Sequence, residues 1–144
     1  MDIIFDVDGT LMDLDHRRKF VSGELGKKDW MEFRRQTSND TPFTRVHQLA
    51  IDLHKAGNRI LIFSGRNMAE HAITEQQLSD IPFEIMILRP DDNFEPDDVL
   101  KSEMLAHVRE NGFDPQIVFD DRQQVVDMWR SKGLLCCQVA KGDF

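Results

Sequence analysis

Apolar and polar positions along this chain fall into blocks of two kinds. Short apolar runs of strand length recur at Ile3-Ile4-Phe5 and over 59–63, 84–88, 117–119 and 134–139. Between them lie stretches whose apolar residues keep helical spacing. Val46, Leu49, Ala50 and Leu53 share one helix face that Gly57 ends, and Thr41-Pro42 ahead of them offers a Thr cap and a first-turn Pro. Further helices are predicted over 68–78, 99–111 and 123–132, with a cap near Asp97 and with Gly112 and Gly133 as terminators. Strands alternating with helices through short loops predict an α/β fold, a doubly wound parallel sheet with right-handed crossovers.

Residues 12–41 break that rhythm. They are polar, punctuated by Phe20, Val21, Leu25, Trp30, Met31 and Phe33 around Gly23 and Gly26. This is too little apolar surface for a core of its own. The expectation is therefore a single domain over 1–144, with 12–41 as a small helical cap inserted over the end of the first strand. There are no repeats or low-complexity tracts to suggest otherwise.

Composition narrows the class. A chain of 144 residues with 40% hydrophobic and 31% charged content suits one globular domain. No apolar run approaches the ~18–20 residues that span a bilayer, and the N-terminus shows no basic, apolar leader. The expected setting is cytoplasmic, with no membrane partner. Cys136 and Cys137 are adjacent, with Cα atoms ~3.8 Å apart, too close for an ordinary disulfide. With no second pair to complete a zinc site, they read as core or near-core thiols. The net charge of −8 argues against an extended, non-specific grip on duplex nucleic acid. Yet the segment 16–35 holds seven basic and three acidic residues, net +4, leaving −12 elsewhere. That run is either a solvated face or an anion-facing surface beside the first strand's end.

The candidate chemistry sits where strands stop. Ile3-Ile4-Phe5 delivers Asp6 and Asp8, then breaks at Gly9. Burying two like charges is costly unless a cation or a shared proton offsets them. Ser64 follows the second strand, Lys101 lies in the first turn of a helix, and Asp120-Asp121 follow the fourth strand. Carboxyl ends of parallel strands converge on one crevice. Carboxylates without Cys or His make a hard, oxygen-rich site suited to Mg²⁺. Lysine and serine add donors for phosphoryl oxygens. One aspartate can then serve as nucleophile and a second as acid and base. Each of these residues also has a plain structural reading as a strand-end or helix cap, or as a solvated lysine. Trp129, with Val125, Val126 and Met128, reads as helix-to-sheet packing. The five histidines lack metal spacing, and the acidic loop over 89–98 lacks the Gly and terminal Glu of a calcium loop.

The ordered set Asp6-Val7-Asp8-Gly9-Thr10, Ser64, Lys101 and Asp120-Asp121 resembles the four motifs of the haloacid-dehalogenase-like (HAD) phosphohydrolases. The resemblance implies a HAD-like Rossmannoid core with Asp6 as nucleophile and Asp8 as acid/base. Mg²⁺ would be held by the Asp6 carboxylate, the Asp8 carbonyl and the Asp120-Asp121 pair, and substrate by Thr10, Ser64, Gly65 and Lys101. An Asp at the second position implies the phosphatase branch.

A closer resemblance, carried by IFDVDGTL, SGR, DDRQQVVDMWR and the closing CQVAKGDF, is to the phosphatase half of phage-type polynucleotide kinase/3′-phosphatases. It implies removal of 3′-phosphates from nucleotides or nucleic-acid ends, with Arg17, Arg66 and Arg122 on substrate phosphate or backbone. It also implies that GDF is a natural C-terminus. The alternative is the same machinery acting on another small metabolite, such as a 5′-nucleotide or a sugar phosphate. No GxxxxGK[ST] occurs, so no kinase activity is expected and a mononucleotide substrate gains weight.

Overall fold

The computed structural model describes residues 1–142; Asp143 and Phe144 of the closing GDF lie outside the described residues. In chain order the elements are β1 (Asp2–Asp6), β2 (Met12–Asp13), α1 (Trp30–Arg35), β3 (Thr41–Pro42), α2 (Thr44–Lys55) and β4 (Arg59–Asn67). They continue with α3 (His71–Gln77), β5 (Ile85–Arg89), α4 (Asp97–Glu110), β6 (Pro115–Asp120), α5 (Gln123–Ser131) and β7 (Leu135–Gln138). Among the described residues no helix is long and apolar enough to cross a membrane.

Five parallel strands form the sheet in the order β5-β4-β1-β6-β7. β1 is central and buried throughout, which is why its apolar residues run without polar alternation. Successive strand residues face opposite layers. Ile4, Leu61, Phe63 and Val118 pack with Leu100, Met104, Val125 and Trp129 of α4 and α5. Ile3, Phe5, Ile60 and Ile62 pack with Ala50 of α2 and with Leu78 and Ile81. The sheet is therefore doubly wound, as the apolar pattern predicts. After β1 the chain builds outward through β4 and β5, then returns to β6 on β1's other side. The carboxyl end of β1 thus lies at the switch point, where such sheets bind ligands.

Local signals fail where long-range pairing competes. Thr41-Pro42 does not open a helix. It forms β3, pairing antiparallel with β2 (Met12↔Pro42, Asp13↔Thr41) and so bringing together the two ends of residues 12–42. Pro fits such a short ribbon because it needs no central ladder donor. α2 instead begins at Thr44, after Phe43, whose amide donates to the Leu11 carbonyl (2.9 Å). β4 does not halt at Phe63 either. It runs on to Asn67, with a register irregularity across Ser64-Gly65-Arg66 before Asn67↔Arg89 resumes the ladder to β5. The helix predicted over 68–78 divides into a 3₁₀ turn, Met68–Glu70, and α3, the turn held by an Asn67–Glu70 capping box. α4 starts at Asp97, not at Val99, with Pro96 as the flanking residue and no side-chain cap.

Candidate active site

Three carboxylates and one ammonium meet at the end of β1. The Lys101 Nζ, carried in by α4, donates to Asp6 Oδ1 at 2.7 Å and to Asp120 Oδ2 at 3.0 Å. Thr10 Oγ1 donates to Asp6 Oδ2 (3.1 Å), and Trp129 Nε1 donates to Asp120 Oδ2 (3.1 Å). The core tryptophan thus has a polar task at its one N–H. Asp121 follows directly, its amide donating to Asp120 Oδ1 (2.9 Å). Gly9 turns the chain at φ +84°, and any side chain there would collide with the Asp121 carboxylate. Glycine is needed on both counts.

Asp6, Asp8, Lys101 and Asp121 do not titrate as free groups would. Burial and the charge of Asp120 push Asp6 well above the ordinary carboxylate range, although Lys101 opposes them. Burial and Asp120 raise Asp121 as well. Burial alone would discharge Lys101, but Asp120 and Asp6 overcome it and hold the ammonium protonated. One positive charge among three carboxylates leaves the cluster electron-rich. Oxygens of Asp6, Asp120 and Asp121 all lie within 4.8 Å of one another, a hard-donor set that fits Mg²⁺.

Beside this cluster lies an arginine fork. Arg66 donates to Asp8 Oδ1 through Nη2 (2.7 Å) and Nε (3.0 Å), and Arg17 Nη2 adds a third bond at 3.2 Å. Burial would raise Asp8, yet Arg66, with Arg17 behind it, holds it below the ordinary range. Both guanidiniums are anchored by Asp40, which accepts Arg17 Nε and Nη2 at 2.8 and 2.7 Å and Arg66 Nη2 at 2.9 Å. Thr74 and Gln77 fix the other prong of Arg66. Sequence reasoning missed Asp40 because a lone Asp ahead of Thr-Pro reads as a turn residue.

Ser64 Oγ accepts the Arg66 amide at 3.1 Å, and Gly65 leaves room for Asp97, whose Oδ1 would stand 2.7 Å from a Cβ there. Asp97, expected as a helix cap, instead takes Arg89 Nη2 (2.5 Å) and Arg122 Nη1 (2.9 Å). Every residue predicted for the site except Thr10, which lies beneath Asp6, lines one cavity of about 1040 Å³. The cavity reaches from this floor to residues between Leu14 and Arg34 on one side and to the loop before α4 on the other. Such an arrangement can hold a phosphoryl group over a carboxylate, with donors around its oxygens.

The family model described as "Polynucleotide kinase PNKP phosphatase domain" matches residues 1–144. Among solved structures, one chain of the "Pnkp1/Rnl/Hen1 complex" is 28% identical with a TM-score of 0.82, covering 99% of this chain and 47% of that one. A chain of the "Pnkp1/Rnl/Hen1 RNA repair complex" is 27% identical with a TM-score of 0.80, covering 99% of this chain and 43% of that one. The present chain thus spans less than half the length of either. A hydrolase from Streptococcus pneumoniae TIGR4, 18% identical with a TM-score of 0.68, shares the HAD fold over 97% of this chain and 92% of its own.

Proposed function

Because the chain belongs to the family of polynucleotide kinase PNKP phosphatase domains within the HAD superfamily, we propose that it is a Mg²⁺-dependent phosphomonoesterase removing 3′-phosphates from nucleotides or nucleic-acid ends. The observation that carries this reading is the setting of Asp6. Its carboxylate is buried at the switch point, bonded to Lys101 and Thr10, within reach of Asp120 and Asp121, with the Arg17–Arg66 fork beside it.

In the proposed reaction an Asp6 oxygen attacks phosphorus while the bond to the leaving 3′-oxygen breaks. Asp8 gives that oxygen a proton as it departs. The product alcohol leaves and phosphate stays on Asp6 as an aspartyl-phosphate. Asp8, now anionic, takes a proton from a water, which attacks the same phosphorus and frees inorganic phosphate and Asp6. Ser64 and Lys101 hold the phosphoryl oxygens, and Lys101 stays cationic to neutralise charge on them. Held by Asp6, Asp120, Asp121 and the Asp8 carbonyl, Mg²⁺ would offset the mutual repulsion of the acids and draw charge from the phosphoryl group. Arg17 and Arg66 are the natural partners of the incoming dianion. A phosphate drawing their N–H groups from Asp8, and adding negative charge nearby, raises the affinity of Asp8 for the proton it must give. Residues 12–41, closed at the neck by β2 and β3, serve as a cap that selects what enters, and Arg122 faces the substrate backbone.

Phosphate release from 3′-dTMP, 5′-dTMP and a 3′-phosphorylated oligonucleotide, each with Mg²⁺, tests the reading. The 3′ esters should be the better substrates by kcat/KM. Preference for 5′-dTMP would overturn the 3′ assignment, and release from none would overturn the activity.

A further inference from the structure

Asp121 is pinched between two glycines, one early in the chain and one late. On its side-chain face, a Cβ at Gly9 would collide with the carboxylate. On its backbone face, a Cβ at Gly142 would collide with the Asp121 carbonyl oxygen and stand 2.5 Å from the Arg122 Cα. A long side chain could swing away from such an approach, but these are backbone atoms. Gly142 is buried and its φ is not positive. Space, not backbone conformation, therefore calls for glycine at 142.

The same stretch supplies hydrogen bonds to the loop that carries the acid. β7 ends at Gln138, the ladder partner of Asp120, and the Val139 amide donates to the Asp120 carbonyl (3.1 Å). Gln138 Nε2 donates to the Asp121 carbonyl (3.1 Å) and to Gln123 Oε1 (3.0 Å). α5 begins at Gln123, and Arg122 ahead of it supplies no side-chain cap. The Gln123 amide donates instead to the Gly142 carbonyl (2.8 Å), which satisfies one of the helix's open N–H groups. Residues 138–142 thus strap 120–123 in place, and none of them lines the cavity that holds Asp6.

The strap has a force to resist. Asp6, Asp120 and Asp121 bring like charges together, with oxygens all within 4.8 Å of one another. Lys101 ties Asp6 and Asp120 directly, at 2.7 and 3.0 Å. Asp121 is the member whose backbone the strap holds.

We infer that Gln138 and Gly142 are positioning residues, acting through the Asp121 backbone to hold its carboxylate against the Asp6–Asp120 pair. The consequence for metal rests on the Mg²⁺ reading, to which the inference adds residues outside the cluster that set its shape. Part of the CQVAKGDF stretch, which the reaction leaves unused, gains a task at the site.

Two variants probe the two contacts. Gln138→Met keeps the length of the side chain and removes its N–H, while Gly142→Ala sets a methyl against the backbone. Amide hydrogen exchange in EDTA reads the clamp without metal. Exchange at the Asp121 and Gln123 amides should quicken in both variants, while core amides such as those of Ile4 and Leu61 keep wild-type rates. Calorimetric titration with Mg²⁺ alone should show binding about 10- to 100-fold weaker than wild type, the usual cost of losing an outer partner of a metal ligand. Phosphate release from 3′-dTMP should climb towards the wild-type kcat as Mg²⁺ is raised, which a misfolded fraction would not do.

Wild-type Mg²⁺ affinity in both variants, or unchanged exchange at Asp121, overturns the clamp. If the wild-type chain itself takes up no Mg²⁺, the metal reading falls and exchange alone decides. Quickening at Asp121 then keeps the clamp, and wild-type rates retire it. Should Gly142→Ala fail to fold, Gln138→Met carries every measurement.

Discussion

Arg17 and Asp40, 23 positions apart, form a two-pronged ion pair sealed from solvent, Nε to Oδ1 at 2.8 Å and Nη2 to Oδ2 at 2.7 Å. Breaking a buried pair by removing one partner strands the other charge and costs about 3–5 kcal/mol. Asp40→Ala should lose stability of that order in urea melts. Asp40→Asn should lower kcat more than it raises KM, because Arg17 and Arg66 lose the anchor that aims them at Asp8. Native stability in the first variant and native kcat in the second would remove Asp40 from the account.

The carboxylate cluster should respond to Mg²⁺ in opposite senses with and without one of its charges. Burial and Asp120 raise Asp121, so its ionised form is disfavoured where it stands. In EDTA, Asp121→Asn should therefore melt at or above the wild-type temperature. Saturating Mg²⁺, worth about 2.7 kcal/mol at a hundredfold excess over Kd, should reverse that order. A wild-type Tm indifferent to Mg²⁺ would contradict the proposed metal site.

At the opposite end of β1, Asp2 accepts Arg59 Nε and Nη2 at 2.7 and 2.8 Å and the Asp114 amide at 2.7 Å. Burial pushes its pKa up, but Arg59 and the Asp114 amide prevail and hold it below the ordinary value. A lowered folded pKa means that its contribution is complete above the unfolded value, about 3.9, and fades as pH falls through the folded one. Asp2→Asn should cost about 1–2 kcal/mol at pH 7, the half-exposed Arg59 keeping the figure low. Melts repeated in acid should show the gap closing below about pH 4. A gap that persists there would contradict the assignment.

Cys136 should be inert. Burial and the nearby Asp120 charge push its thiol up to about 12, so almost no thiolate exists at pH 8. Peptide mapping after iodoacetamide treatment of the native chain should find Cys136 unmodified, and modified once the chain is unfolded. Rapid native alkylation at Cys136 would show the site to be open.

Much of this was legible in the sequence, and what was hidden shares one cause. Ile3-Ile4-Phe5 gave away β1 because a strand buried on both faces has no reason to alternate. Asp6, Asp8 and Asp120-Asp121 stood out because acids at the carboxyl ends of parallel strands converge on one crevice, and Lys101, which α4 carries in, stood out only through its place in the ordered motif set. Asp40 and Asp97 did not stand out: their partners Arg17, Arg66, Arg89 and Arg122 are fixed only by tertiary structure, and each acid taken alone resembles a turn or cap residue. Thr41-Pro42 carried good helix-start chemistry, but pairing with Met12-Asp13 overrode it. Polar Ser64-Gly65-Arg66 looked like a strand's end because the ladder to β5, resumed at Asn67, cannot be seen locally.

The central claim is that Asp6 carries the phosphate between the two half-reactions. Rapid acid quench of the chain turning over an oligonucleotide with a radiolabelled 3′-phosphate tests it most directly. Protein-bound, hydroxylamine-labile label should appear, map to Asp6 and be absent from Asp6→Asn. Turnover at full rate with no label on the protein, or label on any other residue, would contradict it.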